Sequence, residues 1–129
     1  RCLSDWSSDV CSSDLSRNEQ IRLKSVCKKA DVFYKGIYGY DKKLTQTHFN
    51  TLLLQYALKN EIVVNWDRPY KDSKVYMHTK PTEKEYELIG GPNGLSIKKA
   101  VSDRKLVYYL VISVLELLES EEEYNGIIL

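Results

Sequence analysis

The side chains able to carry chemistry are few and scattered. His48 and His78 stand thirty residues apart, with no cysteine or carboxylate at ligand spacing beside either. They read as surface polar residues, one on a helix and one on a strand, rather than as a metal pair. Cys27 lies within a helical pattern and reads as a small buried hydrophobe, not as half of a cysteine–histidine dyad. Glu83, Glu85 and Glu87 alternate around a helix and cannot meet as a catalytic carboxylate pair. Gly90-Gly-Pro-Asn-Gly94 follows no strand and lacks a Lys-Ser/Thr pair, so it is a loop and not a phosphate cradle. The expectation is a protein that is not an enzyme and needs no cofactor or metal. Tyr34, Tyr38, Tyr40 and Tyr76, among ten tyrosines, have the chemistry to stack on single-stranded bases; filling the edge of a small core is the plainer reading.

What remains is charge. The 129 residues carry a net charge of only +1, which excludes a histone-like polycation but not a locally basic face. Hydrophobic residues make up 43% and charged residues 29%, the balance of a folded chain of one domain's length. Residues 17–80 hold thirteen Lys and Arg against six Asp and Glu, a net of +7, whereas residues 81–129 hold five against nine, a net of −4. A basic first part and an acidic tail suit a polyanion partner. Three cysteines are too few for a disulfide scaffold, and a lone Cys27 in the body suits a reducing cytoplasm.

Residues 1–15, RCLSDWSSDVCSSDL, have neither helical nor strand period and no apolar signal core. The run Asp5 to Leu15 resembles the in-frame translation of a common short-read sequencing adapter, over all eleven residues. This segment is expected to be artefactual and disordered, with the natural N-terminus elsewhere. Without it the chain has eighteen basic and fifteen acidic side chains, a net of +3.

The elements that must position any site follow from period and punctuation. Asn18 to Lys35 is helical: Leu23, Val26, Cys27, Ala30, Phe33, Tyr34 and Ile37 recur at three and four, with Lys24, Lys28, Asp31 and Lys35 opposite and Ser16 or Asn18 as cap. Gly36, Gly39 and Asp41 make the turn. Thr45 to Asn60 is a second helix. Phe49, Leu52, Leu53 and Tyr56 form its apolar stripe, Thr47, His48, Thr51, Gln55 and Lys59 its polar face, and Asn60 a left-handed stop. Glu61 to Trp66 and Ser73 to Thr79 read as strands around a charged tip at residues 67–72. Thr82 caps a short helix that Gly90 to Gly94 ends. Ser102 or Asp103 then caps a long segment that is apolar nearly all round from Leu106 to Leu118. A helix buried in the fold or against a partner is expected there, too short to span a membrane.

Helix, short turn, helix, strand, charged tip, strand, helix is an order that resembles the winged helix-turn-helix domain of small phage, mobile-element and bacterial regulators. The likeness is best over residues 44–89. Leu44-Thr45 and ALKNEIVV look like the passage from recognition helix to strand, and NWDRPYKDSKVYMHTKPTEKEYELI looks like a wing, with Glu85 where the family usually has glycine. The resemblance implies an α+β fold, winged-helix-like with a two-stranded wing, over residues 16–91, and a C-terminal helical extension over 92–129. It implies a cytoplasmic protein that binds duplex DNA and acts in transcriptional control. Thr47, His48, Thr51 and Gln55 would face the major groove and Arg68, Lys71 and Lys74 would meet phosphates from the wing. The alternative is a non-catalytic interaction module that dimerises through the 106–118 helix, with Leu106, Tyr109, Leu110 and Leu117 as its interface.

Overall fold

Four of the helices begin at side-chain caps, the last of them at Ser102, whose hydroxyl accepts from the Lys105 N–H at 3.2 Å. Ser16 accepts from the Glu19 N–H and Glu19 accepts in return from the Ser16 N–H, a reciprocal capping box that starts α1 (Arg17–Tyr38). Thr45 accepts from the His48 N–H and starts α2 (Gln46–Lys59). Thr82 and Glu85 form a second capping box at the start of α3 (Glu83–Gly90). Glu85, the residue that stands where winged-helix domains usually have glycine, is thus used to close a helix end. The computed structural model describes residues 11–67, 70, 75–121 and 127, and in these the chain continues with α4 (Leu95–Lys98) and α5 (Asp103–Glu121).

The first helix runs three residues further than expected. Gly36 is accommodated inside it, and the stop comes at Gly39, whose φ of 118° is one that side-chain-bearing residues rarely adopt. Its N–H still reaches the Lys35 carbonyl at 2.9 Å. Asn60 does end α2, but with φ −135° rather than in the left-handed form; its side-chain amide donates to the Tyr56 carbonyl at 3.0 Å.

The two-stranded wing is not what the described residues form. Glu61–Val63 is a turn of 3₁₀ helix, not a strand. A β-branched run becomes a strand only if an edge is there to pair with, and this one instead docks on α5, where the Asn65 N–H donates to Ser113 Oγ at 3.0 Å. Ile62 is left 96% exposed. The second expected strand survives as β2 (Tyr76–Thr79), and its partner is β1 (Cys11–Asp14), paired antiparallel with Cys11 opposite Thr79 and Asp14 opposite Tyr76. The stretch expected to be disordered therefore takes part in the fold from residue 11, and Leu15 is fully buried. The result is a mostly helical protein with one short strand pair.

α5 is the axis of the core. Every residue from Leu106 to Leu115 is buried, and Leu118 joins them. Against this helix pack α2 most extensively, then β1, α1, α3 and the Glu61–Val63 turn. Residues 15–89 and 95–118 share one hydrophobic core, so the C-terminal helix is no appendage, and the boundary expected at 91/92 separates no cores. α1 sits on α5 through a narrower seam, Leu23, Val26, Cys27 and Ala30, reinforced by polar ties. Arg22 pairs in bidentate fashion with Glu119, and the Tyr108 hydroxyl donates to Glu19 at 2.6 Å. No helix among the described residues is long and apolar enough to cross a membrane.

Candidate nucleic-acid interface

The polar face of α2 is largely used inside the molecule. Thr51 is buried; its hydroxyl donates to the Thr47 carbonyl at 2.8 Å and accepts from the Lys80 N–H at 2.8 Å. Asn50, 1% exposed, donates to the His78 carbonyl at 3.0 Å and accepts from Gln46. These side chains cap the backbone groups along one edge of β2, which an α-helix neighbour cannot satisfy with its own backbone. Gln55 reaches the Glu85 carboxylate of α3 at 3.4 Å. Of the four residues expected to face a groove, Thr51 is withdrawn and Gln55 is engaged with α3. Thr47 is half-buried, and only His48 is exposed, its ring edge-on to Tyr34 at 5.9 Å. Leu54, which interrupts the polar pattern, is fully buried. Arg68, Lys71 and Lys74 lie outside the described residues.

The expected dimer interface is withdrawn as well. Leu106, Tyr109 and Leu110 are at most 3% exposed in the single chain, and Leu117 is half-buried. A helix apolar all round is consumed by its own core.

The solvent face of α1 differs. Arg17, Lys24 and Lys28 are exposed, and Lys35 is half-exposed. At 3.6 residues per turn their spacings of 7, 4 and 7 keep all four within about 40° of one line, over about 27 Å of helix. Among the described residues Arg17, Lys24 and Lys28 join no ion pair. Lys35 is held 3.3 Å from Asp31. The ridge continues into the turn after the helix through the exposed Lys42 and Lys43. Ile21 and Val32, 59% and 73% exposed, flank it. Asp31 belongs to the turn rather than to the ridge: it accepts from the Leu44 N–H at 2.9 Å, and that bond, with Lys35 beside it, holds its carboxyl below the usual range. The sequence pattern had shown Lys24, Lys28 and Lys35 as one face. Arg17 was missed because the helix was begun one residue too late, although the i, i+7, i+11, i+18 spacing was there to be read.

Other chemistry finds little footing. Burial, with Asp31 nearby, pushes the Cys27 thiol up to about 11, so it packs as a thiol rather than attacking as a thiolate. Among the described residues no three His, Cys, Asp or Glu side chains gather closely enough to hold a metal ion. Clefts open among the described residues. One of about 340 Å³ lies between α1 and α5, lined in part by Ile21, Lys29 and Leu118. One of about 190 Å³ lies beside Leu15, under Gln46, Asn50 and His78. No protein-family model, no curated protein and no solved structure matches the chain.

Proposed function

We propose that this is a non-enzymatic DNA-binding protein, acting in transcriptional control or on a mobile element, that holds the duplex through phosphate contacts along α1. The observation that carries the reading is the straight ridge Arg17–Lys24–Lys28, extended by Lys42 and Lys43. From Arg17 to Lys35, which lies on the same line, it runs about 27 Å, matching about eight base-pair steps at 3.4 Å each. Three further features support it. Among the described residues Arg17, Lys24 and Lys28 join no ion pair, so none of theirs must break on binding. α1 is fixed to α5 by the Arg22–Glu119 and Tyr108–Glu19 contacts, so the charges are presented rigidly. The acidic balance of residues 81–129 lies on the other part of the chain. Such contacts position a protein on DNA without reading its sequence. His48, at the start of α2 and in contact with Tyr34 of α1, is the one member of the expected groove-facing set left exposed.

The test is fluorescence anisotropy of the full chain with a labelled random-sequence duplex, titrated across salt. Neutralising three to five phosphates gives a log–log slope of about −3 to −4.5. No binding at low salt overturns the reading.

A further inference from the structure

The cationic ridge of α1 has two flanks, and they differ. The flank that meets the end of α5 holds Ser25 and Lys29, with the aliphatic Ile21 and Leu118 along the larger cleft. The flank toward α2 carries rings. Tyr34 and Tyr38, one turn apart on α1, lie with ring centroids 4.6 Å apart, and Tyr34 meets the His48 ring edge-on. Tyr38 is 46% exposed. One residue before His48, Thr47 lines the cleft of about 190 Å³, together with Gln20 and Lys24 of α1 and with Tyr76 of β2, itself 42% exposed. Rings therefore follow the ridge from the level of Lys24 to that of Tyr38, about 21 Å of helix. Past Gly39, Tyr40 is 93% exposed and is followed in the chain by Lys42 and Lys43.

Of the four tyrosines expected to fill the edge of the core, Tyr34, Tyr38, Tyr40 and Tyr76, only Tyr34 packs against it. The others leave apolar ring surface in water, which a ligand with a flat apolar face would cover. The neighbouring charges say which ligand. Arg17, Lys24 and Lys28 select a polyanion, and Lys24 belongs both to the ridge and to the cleft that holds Tyr76. A phosphate on Lys24 and a planar ring against Tyr76 are the two ends of one nucleotide. In a duplex the base faces are stacked on one another and only their edges are presented. In a single strand the faces are free to stack on protein rings.

We propose that the ridge and its aromatic flank together bind single-stranded DNA, with phosphates on Arg17, Lys24 and Lys28, one base in the cleft against Tyr76 and another on Tyr38. This rests on the ridge as a phosphate-holding surface and names what that surface prefers, a strand with unpaired bases over a duplex. A cationic track beside aromatic platforms binds single strands with little regard to sequence, since every base has a π face.

The probe is an end-labelled oligothymidine with one 2-aminopurine in it, compared with the duplex it forms with its complement, each titrated onto the full chain at the same low salt. The strand should bind about tenfold more tightly than the duplex, and stacking on the tyrosines should quench the 2-aminopurine. Tyr38→Leu/Tyr76→Leu keeps apolar bulk but removes the rings. It should weaken strand binding about tenfold and abolish the quench, while the salt slope, which counts phosphates, stays as it was. Tyr38→Phe/Tyr76→Phe should restore both affinity and quench. A strand bound no more tightly than the duplex, or a leucine variant that binds and quenches like the unmodified chain, overturns the inference and leaves the phosphate-holding ridge standing. Binding of neither probe overturns the ridge as well. If the leucine variant loses its helical circular dichroism, the unmodified chain decides: a strand bound without quenching overturns the inference.

Discussion

Helices α1 and α2 each carry a polar face, and the fold uses the two faces in opposite ways. On α2 the short side chains Asn50 and Thr51 turn inward to complete the edge of β2, and Gln55 is drawn to α3. On α1 the long cationic side chains Arg17, Lys24 and Lys28 stay in solvent. Threonine and asparagine are small enough to bury once their one or two hydrogen bonds are met, whereas a lysine ammonium is too costly to bury without a partner. A polar stripe of short residues is thus ambiguous between a binding face and a structural one. A stripe of cations is not drawn inward in this way.

The contrast can be broken most forcefully at the helix that both regions rest on. Leu110→Ala in the middle of α5 should lower unfolding stability by about 2–5 kcal/mol in urea, because the site is closed on all sides and cannot collapse. If α5 were instead a dimer surface, the same change would dissociate an oligomer at little cost to the monomer. Thr51→Val is the next sharpest. It keeps the shape but removes the acceptor of the Lys80 N–H, and should cost about 1–3 kcal/mol. His48→Ala, a few residues away and exposed, should stay within about 0.5 kcal/mol of the unmodified chain. If the two changes cost the same, α2's polar residues are not structural.

A smaller effect than that of Thr51→Val lies at the tie between α1 and α5. Glu119 is held below the usual carboxylate range by its bond to Arg22. A depressed carboxylate adds stability above its unfolded value, and that stability is lost as pH falls through the folded one, so the contribution should fade below about pH 4.5. The pair is partly exposed, so Glu119→Gln should cost no more than about 1 kcal/mol at neutral pH and flatten the acid limb of a pH–stability profile. A profile of unchanged shape would show that the pair does not hold α1 in place.

Much of the helical framework was legible because its signals are local. Ser16, Thr82 and Ser102 announce caps within four residues, and the run from Leu106 to Leu118 is long enough to read as a helix. The strands were not legible. Whether Glu61–Trp66 pairs depends on an edge that lies elsewhere in the chain, and the edge went to residues 11–14, a run with no strand period at all. The same non-locality hid the fate of α2: nothing between Thr47 and Gln55 tells that β2 will pass alongside and draw Thr51 inward. Burial of Leu106, Tyr109 and Leu110 within one chain was equally invisible, since an apolar helix looks alike whether its own fold or a second copy covers it. The basic face of α1 needed only the period of the helix.

The most direct test sets the two faces against each other in one assay. Binding of a random-sequence duplex is measured across salt for the unmodified chain, for Arg17→Ala/Lys24→Ala/Lys28→Ala, and for Thr47→Ala/His48→Ala/Gln55→Ala. The α1 variant should lose about 3 from the magnitude of its log–log salt slope, at about 0.9 per phosphate, while the α2 variant keeps its slope. An unchanged slope for the α1 variant, with the loss falling on the α2 variant, would contradict the account.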